Sequence, residues 1–332
     1  MVHVLVTGGA GYVGSHTVLA LRDAGAEVTV LDSLSTGHAA AVPGGVRLLR
    51  GDCGDPALLA EVFSAGRFDA VFHFAALSLV GDSGRRPLHY LAHNLTTTAR
   101  LAEAAAAAGC LRFVLSSTAA LFGDAQALPI TEDAPLAPTN AYGESKRMAE
   151  TALAWAERAH GLRFACLRYF NAAGADPGLR SGEDHDPETH LIPLAIRAAL
   201  GHGPALTLFG DDYPTPDGTA IRDYVHVSDV AAAHLAVLPL LETRSVRFNV
   251  GSGAGHSVRE VIAAVQQAAG RAVPHRSGPR RDGDPAALVA SPARLMAETT
   301  WRPRHPALVD MVATAVAWHR AHPRGFGDRR AA

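Results

Sequence analysis

Residues 2–14 read VHVLVTGGAGYVG, an apolar run that ends in glycines spaced three apart, Gly8, Gly11 and Gly14. A strand of a parallel sheet that is covered by helices on both faces is apolar along most of its length, so the run predicts a buried strand. Glycines at this spacing let the chain turn tightly, bring backbone N–H groups to a pyrophosphate and pack the next helix on the sheet. The stretch therefore predicts a dinucleotide-binding turn.

The residues that follow complete a βαβ unit. Residues 15–25 form a helical pattern that ends at Gly25, and residues 27–32 form a second apolar strand that ends in Asp32. Asp32 is placed to accept hydrogen bonds from both hydroxyls of an adenosine ribose. Ser33 and the two residues after it include no Arg or Lys for a 2′-phosphate, which favours NAD over NADP. The alternative is an ordinary α/β turn with a surface aspartate.

The composition favours a protein that binds small molecules. A chain of 332 residues can form a large α/β domain with a smaller companion lobe. A net charge of −2 argues against a basic surface for nucleic acid or membrane. Cys53, Cys110 and Cys166 are far apart and form no C-x-x-C pair, so we expect reduced thiols and no metal site. No secretion signal or apolar run of membrane-spanning length is evident, so we expect a cytoplasmic protein.

Strand patterns alternate with helical ones through the first half of the chain. Four of them follow the βαβ unit and are found at residues 46–50, 68–76, 111–116 and 163–170. This alternation predicts a Rossmann-like α/β fold with a doubly wound parallel sheet and a smaller mixed α/β lobe. We place the NAD-binding domain at residues 1–170 and the lobe at residues 171–332. The strands and helix around residues 224–250 are expected to pack back on the first domain.

Several strand ends and one helix carry candidate cofactor contacts. Asp52 is either a contact to the adenine edge or a helix-capping or turn residue. Small residues at Ala75 and Ala76 allow backbone to approach the cofactor. Asn94 lies in the middle of a helix predicted at residues 85–108, where it either bonds neighbouring backbone or is exposed.

The chemical centre is predicted where a hydroxyl-bearing strand end meets a helix. Residues 116–118 read SST, and Tyr142 and Lys146 are four residues apart on the next helix, so their side chains share a face. An ammonium beside a phenol stabilises the phenolate, and the positive ring of NAD⁺ would add to this effect. We expect the pKa of Tyr142 to be brought toward neutrality, which would make it a usable base. The alternative is a lysine that extends past a packed tyrosine.

Taken together, these motifs resemble those of the extended short-chain dehydrogenases/reductases, and among them the sugar-nucleotide 4-epimerases, over nearly the whole chain. The segments that carry the resemblance are residues 7–16, 116–118, Tyr142 with Lys146, 168–171, 209–210 with 212–215, 217–219 with 222–224, and 280–281 with 283–284.

The resemblance implies inversion at C4 of a UDP-hexose, between UDP-glucose and UDP-galactose. Tyr142 would remove the 4-OH proton while NAD takes hydride from C4, and Thr118 would share the hydrogen bond. Related dehydratases and decarboxylases carry Asp or Glu after this threonine, whereas this chain has Ala119 and Ala120. The alternatives are a 4-epimerase of UDP-N-acetylhexosamine or a UDP-pentose, an NAD-dependent dehydratase, and a non-catalytic NAD-sensing protein.

The same resemblance implies the binding residues and a homodimer formed through the helices at residues 85–108 and 142–160. The implied cofactor contacts are Gly8, Gly11, Tyr12, Val13, Gly14, Asp32, Ser33, Asp52, Cys53, Phe74, Ala75, Ala76, Asn94, Ser116, Tyr142, Lys146 and Tyr169. The implied substrate contacts are Thr118, Tyr142, Asn171, His190, Leu191, Thr207, Leu208, Phe209, Arg222, Arg281, Asp284 and Leu288.

Among the substrate contacts, Arg222 and Arg281 would bind the diphosphate and Asp284 the uridine ribose. Asn171 would contact the pyrophosphate or the sugar. The residues at 208 and 209 would flank the uracil. Surface ion pairs and strand packing are the ordinary alternatives for these positions.

The chain departs from the family pattern at four positions. Ser78 replaces a common Lys, Phe122 a Tyr, Thr97 a Gly and Leu288 a Tyr found in some members. Losing the Lys removes one cofactor contact, losing the Tyr hydroxyl alters the sugar pocket, and Leu288 affects the space near C2 of the sugar.

Overall fold

Strands and helices alternate through the first half of the computed structural model, which describes residues 2–125, 127–281 and 284–327. The elements of this half are β1 (His3–Thr7), α1 (Tyr12–Asp23), β2 (Glu27–Asp32), β3 (Arg47–Arg50), α2 (Pro56–Ser64), β4 (Ala70–His73), α3 (Val80–Arg85), α4 (Pro87–Ala107), β5 (Arg112–Thr118), α5 (Ala141–His160), β6 (Arg163–Tyr169) and β7 (Asn171–Ala173). The elements that follow are α6 (Leu191–Leu200), β8 (Leu206–Phe209), β9 (Ile221–His226), α7 (Val227–Ala236), β10 (Val246–Val250), β11 (Gly255–Ser257), α8 (Val258–Ala269), β12 (His275–Gly278), β13 (Ala287–Leu288), α9 (Ala293–Glu298) and α10 (Leu308–Ala321).

Seven parallel strands form the main sheet, in the order β10-β6-β5-β4-β1-β2-β3. The chain runs outward in both directions from β1, so the strand order reverses between β1 and β4. Open α/β sheets bind their ligands beside such a reversal, at the carboxyl ends of the strands. The doubly wound parallel sheet expected from the sequence is confirmed.

Alternate side chains of β1 enter two different cores because successive residues of a strand point to opposite faces. Val4 and Val6 lie in the core on the face covered by α1 and α7, and Leu5 lies in the core on the face covered by α2, α4 and α5. All three side chains are fully buried. The apolar run at the start of the chain is therefore the central strand that both helical layers cover.

A smaller lobe forms after β7. In this lobe β8 pairs with β12, while β9 pairs with β7, β11 and β13. Its own core lies among α6, α8 and α10. The chain then returns to the main sheet: α7 packs on α1, and β10 is the edge strand beside β6.

The boundaries of the predicted elements shift by a few residues in the structure. The helix expected at residues 85–108 is α4, which begins at Pro87 because a helix tolerates proline at its first position, and the separate helix α3 precedes it. The strand expected at residues 111–116 extends to Thr118, and residues 171–173 form a further short strand. In the described part of the chain, we find no helix that is both long and apolar enough to span a membrane.

Candidate active site

The glycine turn is packed too closely for side chains at two positions. Gly8 has φ of 75°, and a Cβ there would lie 2.4 Å from the backbone N of Ala75. A Cβ on Gly14 would lie 2.1 Å from the carbonyl oxygen of Gly8. The two glycines therefore allow the ends of β1 and β4 and the start of α1 to approach one another, as the sequence predicted.

The start of α1 fits a nucleotide pyrophosphate. Its N-cap residue, Gly11, offers no side-chain cap, and no acidic residue lies in the first turn. A Cβ on Gly11 would meet only the Gly8 carbonyl, at 3.4 Å, so the approach to its backbone is open. Backbone N–H groups and the positive end of the helix dipole attract an anion here, and these residues fit the diphosphate of NAD.

Tyr12 joins this turn to the smaller lobe. Its hydroxyl donates to the carbonyl oxygen of Gly174 at 2.6 Å. One turn along α1, Ser15 hydrogen-bonds Ser181 at 2.8 Å. The two domains are thus connected beside the nucleotide turn, and Val13 packs half-buried on the core next to it.

Asp32 holds the backbone around the nucleotide crevice. Its carboxylate accepts hydrogen bonds from the backbone N–H groups of Ala10 at 2.9 Å and Leu34 at 2.8 Å, and burial raises its pKa. Ser33 donates its hydroxyl to Ser35 at 3.1 Å. These bonds order the turn, and the contact of Asp32 with an adenosine ribose stays a prediction.

Asp52 and Cys53 follow β3. Asp52 is exposed and accepts the N–H of Gly54 at 2.8 Å, which is the turn geometry that the sequence left open. Cys53 is buried, and burial raises the pKa of its thiol to about 12. The contact of Asp52 with adenine stays a prediction.

The end of β4 and the middle of α4 meet beside the crevice. Phe74, Ala75 and Ala76 follow β4 and are half-buried. Asn94 is buried, accepts the N–H of Leu77 at 2.8 Å and donates to Leu77 O at 3.0 Å and to Ser145 Oγ at 2.9 Å. The first of the two readings of Asn94 is confirmed: it bonds backbone and ties α4 to the first turn of α5.

Tyr142 and Lys146 lie on the first turns of α5, which Asn140 caps by accepting the N–H of Gly143 at 2.9 Å. Lys146 is buried and donates its Nζ to the carbonyl oxygen of Ser116 at 2.9 Å. Burial lowers the pKa of Lys146 to about 8. The structure thus places the amine at the end of β5.

The pKa of Tyr142 in the protein without NAD is shifted upward, so the shift expected from the lysine together with NAD⁺ stays a prediction. Burial raises this pKa to about 12, and Thr118 lowers it only in part. Lys146 donates to the Ser116 carbonyl and is not among the groups that shift the pKa of Tyr142. Desolvation outweighs the lysine because taking a phenolate out of water is costly.

Sequence reasoning missed a buried ion pair behind this centre. The carboxylate of Glu150 accepts hydrogen bonds from Arg168 Nη2 at 2.7 Å and Arg168 Nε at 3.0 Å. It also accepts one from the Ser117 hydroxyl at 2.7 Å. Glu150 lies four residues after Lys146 on α5, a spacing that could have indicated it. Ser116 and Tyr169 hydrogen-bond each other next to the pair.

In the smaller lobe, Arg222 forms an ion pair with Asp284, which joins two of the predicted substrate residues. The guanidinium of Arg281 lies 4.1 Å above the ring of Phe209, which is 37% exposed. Leu208 is 1% exposed and packs in the core of the lobe, so its side chain does not flank a ligand as predicted. A strand alternates its faces, and only one of two successive residues can be presented outward.

The remaining predicted substrate contacts lie on separate elements. Asn171 is exposed on β7, Thr207 is half-buried on β8, and Leu288 of β13 is in register with Arg222 of β9. His190 is at the N-cap position of α6 without a side-chain capping bond, and Leu191 begins the helix.

Three departures from the family pattern differ in their surroundings. Phe122 is buried with the guanidinium of Arg168 lying 5.4 Å above its ring. Thr97 is buried, and its hydroxyl oxygen would lie 3.1 Å from a Cβ on Gly54. Ser78 is exposed near the carboxyl end of β4.

Comparisons with known proteins agree with this architecture. A family model described as the NAD dependent epimerase/dehydratase family matches residues 4–251. A UDP-glucose 4-epimerase of Halalkalibacterium halodurans is 47% identical over 325 residues, which cover 97% of this chain and 97% of that protein.

Two solved structures are also similar. A UDP-glucose 4-epimerase from Brucella ovis in complex with NAD is 42% identical with a TM-score of 0.92, covering 96% of this chain and 98% of that one. A UDP-glucose 4-epimerase from Bifidobacterium longum in complex with NAD⁺ and UDP is 36% identical with a TM-score of 0.93, covering 97% and 99%. The similarity extends over nearly the full length of each chain.

Proposed function

The chain belongs to the NAD dependent epimerase/dehydratase family, and we propose that it is an NAD-dependent isomerase that interconverts UDP-glucose and UDP-galactose by inversion at C4. The observation that supports this reaction most directly is the position of Tyr142 and Lys146 on α5, with Lys146 bonded to the end of β5. Ala119 and Ala120 follow Thr118, so this strand end supplies no carboxyl group for eliminating water or CO₂ from an oxidised sugar.

The residues that would hold NAD are those around the glycine turn, with Asp32 on the adenosine ribose and the open backbone at Gly11 and the start of α1 on the diphosphate. NAD held by these residues would supply the redox chemistry, which is the reversible transfer of a hydride at C4 of the sugar. Because NAD is restored in each turnover, we expect it to stay bound.

In this proposal Tyr142 holds and moves the proton of the 4-hydroxyl group. Its pKa of about 12 in the protein alone keeps the phenol protonated, so positive charge nearby is needed to make it a base. Lys146 is fixed one helical turn away and would supply part of that charge. Thr118, whose hydroxyl lowers the pKa of Tyr142, would share the proton with the sugar hydroxyl.

The smaller lobe would bind the UDP group. Arg222 and Arg281 would face the diphosphate, because guanidinium groups pair well with phosphate oxygens. For this Arg222 would exchange part of its pairing with Asp284, which would turn to the uridine ribose. Phe209 would stack on the uracil, and Asn171 would contact the pyrophosphate or the sugar.

We further propose that the chain has a nucleotide domain at residues 1–170 and a substrate lobe at residues 171–332, and that it forms a homodimer in the cytoplasm. Leu88 on α4 is 77% exposed and Trp155 on α5 is 63% exposed, although the two helices pack against each other. Large apolar side chains on neighbouring exposed helices favour burial against a second copy.

The test is to incubate the purified protein with UDP-glucose, without added cofactor, and to follow UDP-galactose. We expect interconversion at the ratio set by the sugars' free energies, with no net NADH. Release of water, or NADH accumulating in proportion to sugar consumed, would contradict the epimerase. Parallel reactions with UDP-N-acetylglucosamine and a UDP-pentose measure whether Leu288 limits the sugar.

A further inference from the structure

Four metal-ligating side chains converge in the segment between β7 and α6, outside the residues assigned to the hydride chemistry. They belong to Glu183, His185, Glu188 and His190, and one nitrogen or oxygen of each lies within 4.8 Å of the others. From this geometry we propose that the four side chains form a binding site for a divalent transition-metal ion, and that Zn²⁺ is the ion it fits. His190 is also one of the implied substrate contacts, so metal binding is tested without sugar nucleotide.

The distances between the ligand atoms suit a tetrahedral ion. His185 Nδ1 lies 3.3 Å from Glu183 Oε1 and 3.6 Å from Glu188 Oε1. Zn²⁺ binds imidazole nitrogen and carboxylate oxygen at about 2.0–2.2 Å, which places ligand atoms of a tetrahedron about 3.4 Å apart. His190 Nδ1 and Glu183 Oε1 form a direct hydrogen bond, and these two atoms would separate to admit the ion.

A second observation is a buried oxygen that lacks a hydrogen bond. One oxygen of Glu188 accepts the backbone N–H groups of Thr189 at 2.7 Å and His190 at 2.9 Å. Its other oxygen, Oε2, is buried and has no hydrogen-bond partner among the described residues, and the side chain is 1% exposed. Leaving a buried carboxylate oxygen unpaired is costly, and a metal ion would remove that cost.

An ion at the cluster would lie beside two buried carboxylates, since the side chains of Glu183 and Glu188 are 6% and 1% exposed. Arg197 Nη2 forms ion pairs with Glu188 Oε2 at 3.9 Å and with Asp184 at 3.8 Å, and both distances are too long for a hydrogen bond. The edge of the Tyr12 ring faces His185 at 6.1 Å, so the bound ion would lie close to the nucleotide turn.

The ligand types select the metal. Imidazole favours Zn²⁺ and its transition-metal neighbours, whereas Mg²⁺ and Ca²⁺ prefer sites made of oxygen only. Two imidazoles with two carboxylates in a four-ligand set therefore point to Zn²⁺. An ion can reach the cluster, because the side chain of His190 is 55% exposed.

The experiment measures Zn²⁺ binding in the absence of sugar nucleotide. The full-length protein is treated with a chelator, dialysed, and titrated with ZnCl₂ in competition with a chromophoric chelator. We expect one ion per chain with high affinity, weakened about 100-fold or more in the His185→Gln/Glu188→Gln double variant. The matched control is His256→Gln, which removes another histidine that faces a glutamate four residues along the chain, and it should bind as the parent does.

Equal affinity in the parent and the double variant would overturn the proposal, because the ion would then be held by other histidines. If the double variant fails to fold, the parent still decides the matter: crystals soaked in ZnCl₂ should give an anomalous peak among the four side chains. A peak elsewhere, or none, rejects the site. Neither result depends on whether the protein epimerises a sugar, so the two proposals fail separately.

Discussion

The nucleotide end of the main sheet and the smaller lobe hold their functional groups by different means. At the sheet, the groups that matter are backbone atoms and small residues fixed by one continuous βαβ unit, residues 3–32. In the lobe, they are long side chains brought together from distant segments, such as Arg222 with Asp284 and Phe209 with Arg281. The first arrangement is rigid before ligand arrives, and the second depends on ion pairs and stacking that a ligand can replace.

The difference teaches where each kind of mutation should act. A change at the sheet alters chemistry or folding, since its groups are buried and already bonded. A change in the exposed part of the lobe alters binding, since its side chains reach the surface. The predictions below test this division, from the largest effect to the smallest.

The largest effect is expected for Tyr142→Phe. Removing the hydroxyl leaves the packing of α5 in place but removes the group that moves the sugar proton, so kcat should fall by roughly 10³-fold. NAD released from the denatured variant should equal that of the parent, because the glycine turn is untouched. Both quantities are measured on the same preparation, kcat by coupled assay and NAD by absorbance.

The matched control for this prediction is Tyr90→Phe. Tyr90 is buried, whereas Tyr142 is half-buried, and the Tyr90 hydroxyl donates to Asp82 at 3.2 Å. Its kcat should stay within a few-fold of the parent. If the two variants lost activity equally, Tyr142 would be a packing residue. The proposal that the main sheet carries the chemical step would then be wrong.

The second-largest effect is expected at Asp223, a residue of the smaller lobe that is buried and fully hydrogen-bonded, as the groups of the main sheet are. Asp223 is fully buried and accepts the N–H groups of Ser252, Gly253 and Ala290 at 2.8, 3.0 and 3.0 Å. Asp223→Asn replaces one acceptor oxygen with a donor, so buried N–H groups lose their partner and unfolding free energy should fall by about 3 kcal/mol. Urea unfolding measures it.

Asp212→Asn serves as the control for Asp223. Asp212 pairs with Arg280 at 2.7 Å in an exposed loop, and such pairs add little to stability. Its urea midpoint should match that of the parent. Equal losses of stability in the two variants would mean that exposed ion pairs stabilise the lobe as much as its buried hydrogen bonds do, which would contradict the difference proposed between exposed and buried groups.

The same difference between the two regions explains which features could be predicted from the sequence. The turn at Gly8 and Gly14, the carboxylate Asp32 and the pair Tyr142 and Lys146 were predicted because each belongs to a local pattern with a fixed period. In the protein without NAD the pKa of Tyr142 is raised, because burial outweighs the effect of Thr118, and desolvation depends on every element packed around the phenol. No local sequence pattern predicts the extent of this desolvation.

In the lobe the sequence located residues without their partners. The ion pair of Arg222 spans 62 residues, and the three strands paired with β9 come from distant parts of the chain. The pair of Glu150 and Arg168 was missed for the same reason. Gly283, part of one quoted motif, lies outside the described residues.

The third prediction concerns acid stability at the sheet. Burial lowers the pKa of His73 to about 3, and its ring bonds Thr7 at 2.7 Å and Thr98 at 3.2 Å. In the unfolded chain this imidazole is protonated as pH falls below about 6.5, whereas in the folded chain it stays neutral down to about pH 3. The free energy of unfolding is therefore unaffected by this group above about pH 6.5 and falls as pH is lowered from about 6.5 toward 3.

His73→Asn removes the titrating imidazole, so its protonation no longer contributes to the free energy of unfolding. Between pH 6 and 4, the parent should lose about 1.4 kcal/mol more per pH unit than the variant does. Urea unfolding at pH 4, 5, 6 and 8 measures the two slopes, and the value at pH 8 isolates the packing loss. Parallel slopes would show that the imidazole is charged in the folded protein.

The smallest effect is expected at the exposed edge of the lobe, where two adjacent arginines have different surroundings. Arg280 is bonded to Asp212 and lies 4.2 Å above the ring of Tyr213, whereas Arg281 lies above Phe209. Arg281→Ala removes a charge proposed to face the diphosphate equally in the ground and transition states, so KM for the UDP-sugar should rise about 10-fold with kcat unchanged. Arg280→Ala should raise KM less, because its guanidinium is already paired within the protein. Steady-state kinetics on the two variants decide between these positions. A fall in kcat for Arg281→Ala at saturating substrate would mean that the lobe contributes to the chemical step, and the division between a rigid reacting region and an adaptable binding region would fail at this residue.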